Sequence, residues 1–390
     1  MSRVRAGGLW IVLCLTLTSA QRARAAEPFR YPEAKHGKGE LRYVNDIPVL
    51  TVRGTPEEIG DQVGVLGLRL IKPLFGRVQE FTKAWHVEAI FPLLMKTGNI
   101  MTANFPPDHL KELEAASKAS GVSRDLLIFG NTFIDIRHLG GCSTLVVDPK
   151  RSAAGGLLFG RNLDWFPFGD LHLYSLVTIY RPEGKHAFVA VGLPGMIGPP
   201  SGMNDAGLAL AHNDINATRD GSAKLDPLGV PTLLAMRQIL ENCTSVAEAE
   251  KRIRAVRRAS MALLTVCDKN QGGAFEITTK NVVVRSPIDG ICASTNHFRA
   301  KELATASPAV LETKENCPRH AALRSRSRDI AKLTIEDVHQ VMDAASAGEW
   351  TIQTMIFEPS ALRLHVAFGK GPTSALPLKT LELTKWLQSK

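Results

Sequence analysis

Gly140-Gly141-Cys142-Ser143-Thr144-Leu145-Val146-Val147 is the stretch on which the reading of this chain turns. Two glycines lead into a cysteine, and the cysteine opens a β-branched run that reads as a strand. Taken alone, a cysteine there is well explained as a small buried apolar residue. The glycines add a second reading: they permit backbone conformations closed to other residues, as a strained peptide bond requires. Working outward, Gly160-Arg161-Asn162-Leu163-Asp164-Trp165 follows 19 residues later, counting from Cys142 to Arg161. Arg161 and Asp164 lie at the end of a second predicted strand and in the turn after it. By themselves they read as a surface ion pair in a turn.

The bulk of the chain bounds the problem. Its 390 residues, 44% apolar and 22% charged, suffice for a substantial core in one large domain or two smaller ones. Residues 1–25 read as a secretory signal, with basic Arg3 and Arg5, an apolar run Leu9 to Leu17, and the small-x-small site Ala23-Arg24-Ala25. The run is shorter than the roughly 20 residues a bilayer span needs, so no stable membrane span is expected. Residue 13 before Cys14 is Leu, which argues against lipid attachment there. The leader holds four arginines and no acid, so its removal lowers the net charge from +9 to +5. No basic stripe interleaves with aromatics, which argues against nucleic-acid binding. Beyond Cys14 the cysteines are Cys142, Cys243, Cys267, Cys292 and Cys317, an odd set with no C-x-x-C pair. No metal site is therefore expected, and the pairing of the last four stays open. Ser201 lacks a G-x-S-x-G elbow, and neither a P-loop nor a dinucleotide fingerprint is present, so no cofactor is expected.

Before Cys142 the pattern is mostly helical after a short strand, Pro48 to Val52. Thr55, Pro56, Glu57 and Glu58 make a strong helix start. Further helices are predicted over Glu80 to Lys96, over His109 to Ser120 ending at Gly121, and from Ser123 toward Phe133. After Cys142 the texture changes. Strands are predicted at Leu145–Val147, Leu157–Phe159, Leu176–Tyr180, Phe188–Val191 and Leu208–Ala211. Helices follow at Pro231–Asn242 and Val246–Arg257, then strands at Met261–Cys267, Ala274–Thr278 and Val282–Val284. Two helices, Arg319–Lys332 and Ile335–Ala345, precede a closing hairpin, Ile352–Phe357 with Leu362–Phe368. Many strands with grouped helices indicate a layered α/β or α+β sandwich.

The chemistry follows from placing a cysteine at a chain terminus. Its thiol would attack the Gly141 carbonyl, the acyl group would move from nitrogen to sulfur, and water would release it. The freed α-amine has a pKa of about 7.7–8.0 and can take the thiol proton near neutral pH. None of the 11 histidines has a partner at motif spacing. Arg161 would favour the thiolate, and Asp164 would hold the new ammonium. Asn213 and Asn296 each end a predicted strand segment, where a carboxamide serves as an oxyanion donor or simply as a turn residue.

Taken together, GGCSTLVV (140–147), GRNLDW (160–165), GMNDAGLALAHND (202–214) and STNHF (294–298) resemble the N-terminal-nucleophile (Ntn) hydrolases acting on linear amides. That group holds choloylglycine hydrolases, acid ceramidase and the penicillin acyltransferase-like family, and the last is the nearest in pattern. Gly54-Thr55-Pro56-Glu57-Glu58-Ile59-Gly60 and the tail TIQTMIFEPSALRLHVAFG (351–369) fit it too. The resemblance implies an α+β fold, a four-layer αββα sandwich, cleaved between Gly141 and Cys142. It implies Cys142 as nucleophile, Arg161 and Asp164 as its activating pair, and Asn213 and Asn296 as oxyanion donors. A later arginine belongs to the site, with Arg319 the first candidate and Arg324 the second. Choloylglycine hydrolases place the cysteine directly after the initiator methionine, whereas residues 26–141 intervene here.

The expectation is a precursor in three parts: signal 1–25, a mainly helical alpha chain 26–141 and a catalytic beta chain 142–390. The leading reading is an exported cysteine amidohydrolase of a linear amide, working through a thioester. Its compartment would be periplasmic or extracellular, or lysosome-like in a eukaryote. An acyltransferase with the same acyl-enzyme is the alternative. A secreted binding protein that keeps the fold without catalysis is the alternative of another class. Trp165-Phe166-Pro167-Phe168 and Met196-Ile197 suit a small-molecule amide with an apolar acyl group, and equally suit core packing.

Overall fold

The computed structural model describes residues 28–388 other than 78–79, 81, 84–85, 87, 137–139, 167–169 and 306–316. The expected signal at 1–25, and Pro167 and Phe168, lie outside the described residues. In chain order the first half supplies β1 (Ala34–His36), β2 (Gly39–Val44), β3 (Ile47–Gly54), α1 (Pro56–Val63), α2 (Lys72–Gly76), α3 (Phe91–Met101), α4 (Pro107–Ser120) and α5 (Arg124–Ile136). Then come β4 (Gly141–Val147), β5 (Leu158–Asp164), β6 (Leu176–Pro182), β7 (Phe188–Gly192), β8 (Ser201–Asn204), β9 (Ala209–Asp214), α6 (Thr232–Asn242) and α7 (Val246–Ala255). The rest runs β10 (Ala262–Cys267), β11 (Gly272–Ile277), β12 (Val282–Arg285), β13 (Ile291–Ser294), α8 (Pro318–Arg328), α9 (Ile335–Ala344), β14 (Thr351–Glu358), β15 (Arg363–Phe368), β16 (Lys379–Glu382) and α10 (Thr384–Leu387).

The helix starts follow local chemistry. Thr55 Oγ1 accepts the Glu58 amide at 3.2 Å while Glu58 Oε2 accepts the Thr55 amide at 2.9 Å, a reciprocal cap on α1. Gly121 ends α4 in the left-handed conformation, φ 68°, where its missing Cβ removes the usual cost. The helix expected over Glu80 to Lys96 is interrupted: among the described residues Glu80, Thr82 and Lys83 are helical, His86 and Glu88 to Ile90 are turn, and α3 has its start shifted to Phe91. Pro92 explains the shift, because proline suits the first turn of a helix and breaks its interior.

Two sheets carry the fold. One has ten strands in the order β1-β2-β3-β6-β7-β8-β9-β10-β11-β12, the other six in the order β13-β4-β5-β14-β15-β16. All neighbours are antiparallel except β3 with β6. Alternation along the strands sorts side chains into three cores. Val177, Ile179, Val189, Ala209 and Ala211 of the first sheet meet Val146, Phe159, Met355 and Phe357 of the second in a central layer. Leu176, Tyr180, Phe188 and Leu210 face the other way, onto α1, α4, α5, α6 and α7. Leu145, Val147 and Ile356 pack against Leu323 of α8 and Val338, Val341 and Met342 of α9. The architecture is thus an α+β sandwich of four layers, αββα, as expected.

Candidate active site

The pairing of β4 with β5 assembles the first three residues. Cys142 lies opposite Leu163, Thr144 opposite Arg161 and Gly141 opposite Asp164. Cys142, Thr144 and Val146 share the face turned to the other sheet, as do Phe159 and Arg161. Thr144 Oγ1 bonds Thr265 Oγ1 across the gap at 2.7 Å. Arg161, fully buried, spans the same gap: Nη1 donates to Asn213 Oδ1 at 3.2 Å and Nε to Ser201 Oγ at 3.3 Å.

Asn296 and Arg319 close around the Cys142 backbone from the far side. Asn296 Oδ1 accepts the Cys142 amide at 2.8 Å, and its Nδ2 donates to the carbonyls of Asp214 at 2.9 Å and Gly140 at 3.3 Å. Arg319 sits in the first turn of α8, whose start is set by Pro318 and by Cys317 Sγ accepting the His320 amide. Its Nη1 donates to the Cys142 carbonyl at 2.9 Å and to Asp164 Oδ2 at 3.1 Å, and its Nη2 to Asn296 Oδ1 at 2.9 Å. Arg324, farther along α8, makes none of these contacts among the described residues. Of the two arginines, Arg319 is the one that contacts Cys142, Asp164 and Asn296. Asp164 is completed by Thr351, whose Oγ1 donates to Oδ1 at 2.7 Å.

Asn213 and Asp214 turn to opposite faces of β9. Asn213 Nδ2 donates to the Thr295 carbonyl at 3.1 Å while its oxygen accepts from Arg161, so its carboxamide is engaged between the sheets. The next residue points to the other face. Asp214 lines the cavity beside Cys142, and its Oδ2 accepts the Gly140 amide at 3.1 Å. The strand end gave a signal for Asn213, but alternation puts only one of the pair toward the cavity.

Gly140 and Gly141 are needed for space rather than for strain, since neither has a positive φ. A Cβ on Gly140 would lie 2.9 Å from Trp165 Cζ3, and one on Gly141 would lie 3.0 Å from Asp164 Cβ. Burial raises the Cys142 thiol pKa; the Arg161 charge opposes this, and Asp164 and Asp214 add to it. Cys243, Cys267, Cys292 and Cys317 are all buried, and no disulfide joins them.

Beside Cys142 opens a cavity of about 470 Å³. Leu74, Phe129 and Phe133 from the segment before Cys142 form one wall; Leu163, Trp165 and Met196 from the segment after it form another. Asn131 of α5 fixes the Met196 loop, accepting the Ile197 amide at 2.7 Å and donating to the Gly195 carbonyl at 2.8 Å. Polar members at the nucleophile end are His212 and Asp214. Among the described residues no group of His, Cys, Asp and Glu has the arrangement to hold a metal, and no helix is long and apolar enough to cross a membrane.

Residues 151–372, more than half of the chain, match the family described as acyl-coenzyme A:6-aminopenicillanic acid acyl-transferase. The chain belongs to this family. It is an Ntn hydrolase of the penicillin acyltransferase-like group, in keeping with the four-layer sandwich. The family match takes in Arg161, Asp164, Asn213, Asn296 and Arg319, and begins after Cys142. The chain is similar to the acyl-coenzyme A:6-aminopenicillanic-acid-acyltransferase 40 kDa form of Emericella nidulans, 27% identical over 64% of this chain and 68% of that one. It is also similar to an uncharacterized protein of Archaeoglobus fulgidus, 26% identical over 37% of this chain, and spans only 24% of that protein's length. Among solved structures, a variant of conjugated bile acid hydrolase from Clostridium perfringens overlaps 63% of this chain and 93% of its own, with 13% identity and a TM-score of 0.46.

Proposed function

We propose that this protein is a precursor that cuts itself between Gly141 and Cys142 and then hydrolyses a linear amide through a thioester on Cys142. The observation that carries this reading is the clamp on Cys142: its amide is held by Asn296 and its carbonyl by Arg319. In the first step Sγ attacks the Gly141 carbonyl carbon. The bond to the Cys142 nitrogen breaks, and that nitrogen takes the thiol proton. Water then adds to the thioester, leaving a Gly141 carboxylate and a free thiol on a new N-terminus. Residues 26–141 and 142–390 remain together as alpha and beta chains, after export and loss of the leader 1–25.

In the mature site the α-amine, pKa about 7.7–8.0 in isolation, accepts the thiol proton. Arg161 favours the thiolate against the cost of burial. Asp164, oriented by Thr351 and Arg319, holds the ammonium that forms. Asn296 Nδ2 donates to the developing oxyanion. Asn213 acts one step back, by fixing Arg161. The leaving amine departs with a proton from the ammonium, and water releases the acid.

The family description and the Emericella nidulans relative favour a second reading, in which an amine replaces water as acceptor. Products formed with and without a competing amine separate the two. Both share one test: brief exposure to an amide substrate followed by acid quench should leave an acyl mass on the chain holding Cys142. A Cys142→Ala protein that gains the same mass would refute the thioester.

A further inference from the structure

Resting on that reading of Cys142, we propose that the acyl group is a linear chain of more than about a dozen carbons, and that Phe133 and Gly130 of α5 set its length. The lining of the cavity runs from the nucleophile as an aromatic row. Trp165 packs against Gly140 next to Cys142. Phe133 follows at 5.9 Å between ring centroids, and Phe129 at 5.2 Å beyond it. All three rings are only partly buried, because their free faces look into the cavity.

Volume selects among acyl groups. A cavity of about 150 Å³ holds one benzene ring, so the 470 Å³ here corresponds to about three, or about 18 carbons. A single aryl group would leave most of it empty, and a four-ring steroid acid exceeds it. Apolar residues such as Ile71, Leu74 and Leu126 supply the rest of the wall. Away from the nucleophile end, where Asp214 sits, the charged members of the lining are half-buried Arg77 and exposed Glu80; Arg77 lies 3.7 Å from Glu80 and 2.6 Å from Asp170, which neutralises it toward a tail. The chain therefore meets hydrocarbon and ring faces rather than a charge. Since α5 precedes Cys142, the residues that measure the acyl chain sit on the alpha chain, and the nucleophile on the beta chain.

Gly130 gives a variant that does not depend on damaging the fold. It lies in α5 and lines the cavity, and an added Cβ would meet nothing within 4 Å. Leucine there also improves helix propensity. The test uses the full-length processed protein and a series of amides sharing one amine: acetyl, hexanoyl, decanoyl, tetradecanoyl, octadecanoyl, phenylacetyl and a steroid acyl. Released amine gives kcat/KM, and intact mass gives the adduct on Cys142. The expected kcat/KM rises about three- to fourfold per methylene toward the roughly 18 carbons the cavity holds, so tetradecanoyl and octadecanoyl amides are the best of the series. Gly130→Leu should move the optimum to shorter chains and Phe133→Ala to longer ones. The proposal is overturned if phenylacetyl or acetyl amides turn over as fast as tetradecanoyl. It is also overturned if folded Gly130→Leu keeps the wild-type profile. If no amide of any length acylates Cys142, the nucleophile reading itself falls, and this inference with it.

Discussion

Arg319 bridges the Cys142 carbonyl, Asp164 and Asn296 with one planar guanidinium, a task that a lysine's single ammonium cannot share out in the same way. Removing it leaves a buried carboxylate and a carbonyl without their charge-assisted donor. Arg319→Ala should therefore slow conversion of precursor to two chains by about 10- to 100-fold. Arg324→Ala should leave conversion unchanged. A time course on denaturing gels checks both; equal behaviour of the two variants would contradict the assignment. Cys142, Arg161 and Asp164 were legible in the sequence because two adjacent strands bring them together by register alone. Arg319 was legible only as one of two, since nothing local says which helical arginine reaches a site 177 residues back along the chain. Asp214 and Thr351 were not read at all. Asparagine is the better oxyanion donor by type, so Asn213 drew attention while strand alternation turned its neighbour into the cavity.

Helix α6 begins at Thr232 without a side-chain cap of its own. Asp135, on α5, supplies it: the carboxylate accepts the Thr232 amide at 3.2 Å, the Thr232 hydroxyl at 2.6 Å and the Ser260 hydroxyl at 2.5 Å. These donors are buried, so losing their acceptor leaves them unsatisfied. Asp135→Ala should cost about 2 to 3 kcal/mol of unfolding free energy, with Asp135→Asn milder, as read from urea midpoints. A wild-type midpoint for Asp135→Ala would contradict the cap. Strong periodicity and caps made most helices and central strands legible here. The exceptions have physical causes: β8, Ser201-Gly202-Met203-Asn204, has no β-branched residue to mark it, β1 and β16 are short, charged edge strands, and β2 beside β1 carries charges too.

Across the whole molecule, the segments before and after Cys142 are joined by a buried ion cluster. Arg237 of α6 donates to Glu112 of α4 at 2.8 Å and to Glu241 at 2.8 Å, and His109 of α4 bonds Glu241 at 3.0 Å. Burial pushes His109 down to about 4, the Glu241 bond opposing and the Arg237 and Lys185 charges assisting. The unfolded chain binds this proton near pH 6.5 and the folded chain only near pH 4, so stability falls as pH falls through that window. His109 alone contributes about 3 kcal/mol of that loss, and the contribution is constant above pH 6.5. Burial sends His320 down to about 3, which acts in the same direction. His109→Gln should flatten the decline in chemical denaturation measured from pH 7 to 4.5; an unchanged slope would contradict it. A layered sandwich was legible from element order and its four layers from the family resemblance, but this cluster was not, because its members lie on helices that only the tertiary fold brings together. The central claim, a nucleophile made by self-cleavage, is tested most directly by intact mass of the purified protein under denaturing conditions. The account predicts two chains, the second beginning at Cys142, and a single uncut chain for Cys142→Ala. A wild-type protein that remains one chain through Gly141 and Cys142 would contradict it.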